Sequence, residues 1–122
     1  MPSTLPPLPA SLEATRDHHL AQWAAALEQS ALAPRRDELS ARFEQELPLV
    51  LAASDYVAEQ LRRDPELAWR LVAGERLWRP LAEGELRDLL QAALTEVANE
   101  DQLAQALRRF RQWQQVRIIW RD

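Results

Sequence analysis

Few residues in this chain have the types and spacing that chemistry needs. His18 and His19 form the only histidine cluster. Adjacent residues on a helix point about 100° apart, so the two cannot face one metal as an i, i+4 pair would. They read as two partly exposed polar side chains. The nineteen acidic residues invite a paired-carboxylate reading. Most of them, such as Glu13, Glu28, Glu59 and Glu100, fall on polar helix faces or near helix starts, where the helix dipole favours them. The only two glycines, Gly74 and Gly84, stand in unrelated contexts, so no glycine-rich loop exists to cradle a phosphate. No serine is marked as an activated nucleophile of a serine–histidine–aspartate arrangement. With no cysteine, disulfides, thiolate metal sites and cysteine nucleophiles are excluded. No catalytic, cofactor-binding or metal-binding residue is therefore expected.

Charge is distributed unevenly. Residues 102–121 carry Arg108, Arg109, Arg111, Arg117 and Arg121 and no acid, within a chain of net charge −4. Phe110, Trp113 and Trp120 are interleaved with these arginines and are of a type that stacks on bases. The rest of the chain is acidic, however, and repels a polyanion, while the aromatics fall on the apolar stripe of their helix. Nucleic acid is not the expected partner. At 100° per residue, Arg117 falls near the centre of the stripe made by Leu103, Phe110, Trp113 and Trp120. A guanidinium does not shed its charge, so a buried Arg117 must be paired or hydrogen-bonded. The expectation is a structural ion pair with Asp55, which sits at the edge of an apolar arc beside Leu51 and Ala58. The rivals are a carboxylate outside this chain and snorkelling to solvent.

Helices must position these residues. Ala, Leu, Glu, Gln and Arg dominate, glycine and β-branched residues are sparse, and no segment alternates with period two for long. Four of the eight prolines lie in residues 1–10, an extended lead-in. Ser11 is expected to cap a helix over about 12–32, striped by Leu20, Trp23, Leu27 and Ala31. Pro34 is expected to end it and begin a second, with Leu39, Phe43 and Leu47. Pro48 then opens a third, 48–63, apolar over more than half its circumference and hence central. Asp64-Pro65-Glu66 signals a restart, and that short helix should end at Gly74. Residues 75–84 read as a connector. Leu86, Leu89, Leu90, Ala93, Leu94 and Val97 define a helix over 85–98, and Asn99 with Gln102 begins the last, 100–121. The expected fold is all-α: an irregular helical bundle of about six helices, with residues 11–122 as one helical segment. Val116, Ile118, Ile119 and Trp120 make the last helix apolar on nearly every side. Such a helix expects burial all round, so the chain reads as cut inside a helix, with its apolar girdle exposed and prone to self-association.

These residues also carry a resemblance. Leu107-Arg108-Arg109-Phe110-Arg111 followed by Val116-Arg117-Ile118-Ile119-Trp120-Arg121-Asp122 resembles the arginine-rich helix of the bifunctional glutamine synthetase adenylyltransferase/adenylyl-removing enzymes. In that family it lies just before the first nucleotidyltransferase domain. Ser54-Asp55-Tyr56-Val57 is similar to a stretch upstream of it, and Asp64-Pro65-Glu66-Leu67 follows at the family's spacing. The resemblance covers residues 50–122; the first 45 residues carry no motif we can name. Gln112-Trp113-Gln114-Gln115 departs from the family's more basic pattern, and Ile119 stands where alanine is common. The family's magnesium-binding aspartate motif is absent.

The resemblance implies the N-terminal helical part of the adenylyl-removing half, which frames the removase catalytic domain and is not catalytic alone. It implies ATP and magnesium for the complete enzyme and none in this chain. The complete enzyme transfers AMP from ATP to a tyrosine of glutamine synthetase and removes it by phosphorolysis. The implied partners are the rest of the parent enzyme, glutamine synthetase and a PII-type signal protein. Residues 1–9 have no basic residue and no apolar run, and no stretch approaches the ~20 apolar residues of a membrane span. No membrane partner and a cytoplasmic location are therefore expected. The alternative function is a free-standing helical protein–protein interaction module.

Overall fold

The computed structural model of the chain describes residues 9–121. They are all-α: α1 (Ala10–Glu28), α2 (Ala41–Ala53), α3 (Asp55–Arg63), α4 (Leu67–Val72), α5 (Glu85–Leu94) and α6 (Glu100–Arg121). Short 3-10 turns occupy Ala33–Glu38 and Ala73–Glu75. The chain divides into two compact units between Pro65 and Glu66. Most of the expected proline-rich lead-in lies outside the described residues.

In the first unit α1, α2 and α3 pack on one another. Trp23 and Leu27 of α1, Phe43, Leu47 and Leu51 of α2, and Val57 and Leu61 of α3 are all buried. Each set repeats at four residues, so each helix presents one stripe to a shared core. Trp23 meets Phe43 with ring centroids 6.4 Å apart at a tilt of 59°. The Arg36 guanidinium lies 4.8 Å over the Trp23 ring.

Four sequence expectations are corrected here. The first helix begins at Ala10 after Pro9, not after a Ser11 cap, because the locked φ of proline suits the residue before a helix. It stops at Glu28, short of 32, where the Ser30 hydroxyl donates to the Leu27 carbonyl and accepts from the Leu32 amide, turning the chain. Pro34 then starts only the 3-10 turn; Ser40, accepting from the Phe43 amide, caps α2. Pro48 lies inside α2 and does not open a helix. It supplies no N–H to the Glu44 carbonyl, but the buried stripe Phe43, Leu47, Leu51 runs straight through it and outweighs that loss. The true boundary is Ser54, the last cap of α2 and the first of α3, whose hydroxyl accepts from the Val57 amide.

In the second unit α4 and α5 each pack against α6. Asp64 closes α3, and α4 starts at Leu67 without a side-chain cap, so the expected restart at Asp64-Pro65 is shifted by two residues. Gly74 does mark the end of this segment: its φ of 62° is the left-handed conformation that favours glycine. The connector beyond it buries Leu77. α5 ends at Leu94, where the Thr95 hydroxyl bonds back to the Gln91 carbonyl, and not at 98. α5 has no fully buried residue. α6 starts as expected: Asn99 Oδ1 accepts from the Gln102 amide, and Gln102 Oε1 from the Ala98 amide.

Candidate functional site

α6 is the element that organises the second unit. Its buried residues are Trp113, Val116, Arg117 and Trp120, one stripe at spacings of three, one and three. The expected girdle is therefore split: Val116 and Trp120 are buried, whereas Ile118 is 48% and Ile119 36% exposed. Trp113 Nε1 donates to the Arg70 carbonyl at 3.2 Å, and Arg70 donates to Gln112 Oε1, also at 3.2 Å. These bonds fix the end of α4 on the middle of α6.

Among the described residues Arg117 is the one charged residue that is buried. Its Nε donates to the Arg76 carbonyl at 2.7 Å and its Nη2 to the Arg79 carbonyl at 2.7 Å. Its Cζ stands 5.9 Å from the Trp113 ring centroid. Burial, with the neighbouring charge of Arg121, lowers its pKa from the ordinary arginine value, and Glu85 opposes the shift. The group stays charged and is solvated by two backbone carbonyls that a helix would otherwise have used.

The same connector is gripped from its other side. Glu85, at the start of α5, accepts from Arg76 Nε at 2.8 Å, from Arg79 Nη1 and Nη2 at 2.7 Å each, and from the Ala82 amide at 2.8 Å. Arg79, then the Ala82 amide and Arg76, hold its carboxyl well below the usual carboxylate range. Beside this clamp a cleft of about 190 Å³ is lined by Arg70, Ala73, Arg76, Leu89, Phe110 and Trp113. None of these side chains is a nucleophile or a general base at neutral pH, so the cleft can hold an apolar group but offers no acid–base pair.

Each residue of the expected Arg117–Asp55 pair has partners within its own unit. Arg117 is engaged by the Arg76 and Arg79 carbonyls. Asp55 Oδ1 lies 2.9 Å from His19 Nε2, with the aspartate side chain 89% exposed. Sequence reasoning named Arg117 but missed its acceptors, and it missed Glu85 altogether. Gly84 directly before an acidic helix start was the available signal. His18 and His19 stack obliquely on each other, with centroids 5.7 Å apart. Among the described residues no group of three or more histidine, cysteine, aspartate or glutamate side chains could hold a metal ion. No helix among them is long and apolar enough to cross a membrane.

The described residues form two all-helical units, the second stapled by the buried Arg117. Residues 44–122 match the family model for glutamate-ammonia ligase adenylyltransferase, and the chain belongs to that family. It is 49% identical over 98 residues to the bifunctional glutamine synthetase adenylyltransferase/adenylyl-removing enzyme of Pseudomonas aeruginosa, covering 80% of this chain and 10% of that relative. The enzyme of the same name from Nitrosococcus oceani is 36% identical over 115 residues, 94% of this chain and 12% of the relative. That longer match extends the likeness into the first 45 residues, which carried no recognised motif. The chain spans about a tenth of the length of the curated relatives it matches. No solved structure matches it.

Proposed function

We propose that this chain is the N-terminal helical part of a bifunctional enzyme that adenylylates and deadenylylates glutamine synthetase. In this reading it frames the adenylyl-removing catalytic domain and performs no chemistry by itself. The observation that carries the reading is the family match over residues 44–122, a span that contains all of α3 to α6 and the Arg117 staple. A helical frame suits the role, because catalytic groups must be held to within a fraction of an ångström by elements that do not react. ATP and magnesium would bind to nucleotidyltransferase domains outside this chain. Glutamine synthetase and a PII-type signal protein would be the partners of the assembled enzyme, in the cytoplasm.

Nucleotidyl transfer needs metal-bridging carboxylates placed around the phosphates. The purified chain should therefore give no heat on titration with ATP and magnesium and should release no AMP from adenylylated glutamine synthetase. Saturable ATP binding, or AMP release above a buffer control, would overturn the non-catalytic assignment.

A further inference from the structure

α6 has a second face that its own unit leaves about half exposed. Leu103 is 39%, Leu107 45% and Ile118 48% exposed. At 100° per residue these three fall within an arc of about 60°, together with Gln114, and Arg111 and Arg121 fall at its edges. Both arginines are exposed. The steps from Leu103 through Leu107, Arg111, Gln114, Ile118 and Arg121 are of three and four residues, the spacing of a seam that pairs with another helix. The seam runs roughly 27 Å along the axis at 1.5 Å per residue. No acid lies on α6 beyond Asp101, so the seam is apolar with positive edges.

We infer that this face docks an amphipathic helix with acidic flanks, supplied by another polypeptide segment. Charge decides the occupant. A second copy pairing antiparallel on the same seam would bring Arg111 against Arg111 of its partner at the centre, a like-charge contact that costs rather than stabilises. A nucleic acid would meet the arginines, but it gains nothing from Leu103, Leu107 and Ile118. Moreover Trp113 and Trp120, the rings fit for stacking on bases, are buried and turned away from Leu107 and Ile118. An acidic helix satisfies both features, with its leucines on the seam and its glutamates against Arg111 and Arg121.

The inference concerns binding only and is tested without any AMP chemistry. The probe is a fluorescein-labelled helical peptide with leucines at heptad a and d positions and glutamates flanking them. A sister peptide carries lysines in place of the glutamates. Fluorescence anisotropy against the 122-residue chain should show binding of the acidic peptide and not of the lysine peptide. Leu107→Glu and Ile118→Glu should each weaken it about tenfold, and Arg111→Glu by several-fold, more at low than at high salt. These side chains are exposed, so circular dichroism should show parental helicity in all three variants. Failure of the acidic peptide to bind, equal binding of the lysine peptide, or binding indifferent to Ile118→Glu would overturn the inference. So would a dimer in sedimentation that Ile118→Glu abolishes, or preferential binding of a labelled oligonucleotide.

Discussion

Arg117 and Glu85 hold the same two residues from opposite ends. The guanidinium of Arg117 takes the carbonyls of Arg76 and Arg79, and the carboxylate of Glu85 takes their guanidiniums. The irregular connector between α4 and α5 is thereby fixed to α6 through its backbone and to α5 through its side chains. Arg117→Met strips both carbonyls of their charged donor while also relieving the desolvation of a buried cation. The net loss should be about 2–3 kcal/mol in urea unfolding followed by tryptophan fluorescence. Arg117→Lys keeps the charge but lacks the planar fork that spans two acceptors, and should lose about 1–2 kcal/mol. A methionine variant as stable as the parent would show that the staple holds nothing.

The Glu85 clamp makes the second unit acid-sensitive. Its carboxyl is held below the ordinary glutamate value of 4.5 by Arg79, the Ala82 amide and Arg76. A depressed folded-state pKa contributes stability that is fully present above the unfolded value. That stability is lost as pH falls from the unfolded value toward the folded one. Unfolding midpoints measured at neutral pH and at successive points below about pH 4.5 should therefore fall. Glu85→Gln should be less stable than the parent near neutrality and should lose much of that acid dependence. An identical pH profile for parent and variant would contradict the clamp.

The serine caps give a local test in the first unit. Ser40 accepts from the Phe43 amide and Ser54 from the Val57 amide. Ser40→Ala and Ser54→Ala should each cost about 1 kcal/mol. Thermal unfolding of the single and double variants would show whether the two losses add, as independent caps require.

These caps also show what was legible in the sequence. Asn99 with Gln102, Gly74, and the central place of Arg117 on its stripe could be read directly, because each depends on spacing within a few residues. Pro48 and Ser54 were read the wrong way round. Proline punctuates a sequence strongly, but the Phe43–Leu47–Leu51 stripe continues across Pro48 at unbroken four-residue spacing, and burial decides. Ser54 stood inside a motif with an acid in the first helical position, the pattern of a cap, and went unread as one. The acceptors of Arg117 had no sequence signature at all. Residue types advertise carboxylates, whereas a main-chain carbonyl in a connector looks the same at every position. Sequence reasoning therefore looks first to an oppositely charged side chain such as Asp55.

Neighbours on α6 separate core from surface within one turn. Val116 is fully buried and Ile118 is half exposed. Val116→Ala should cost about 2 kcal/mol, from lost burial and the cavity left behind. Ile118→Ala should stay within about 0.5 kcal/mol. Similar costs in urea unfolding would mean that the exposed face is covered by the chain itself.

The framing role is tested most directly by AMP removal in a complete enzyme. In the Pseudomonas aeruginosa relative, the segment matching this chain would be deleted, and in a second enzyme replaced by this chain. Release of AMP from adenylylated glutamine synthetase and attachment of AMP to it would be measured side by side. The account predicts that deletion abolishes release, leaves attachment measurable, and that the replacement restores release. Undiminished release by the deleted enzyme would contradict it.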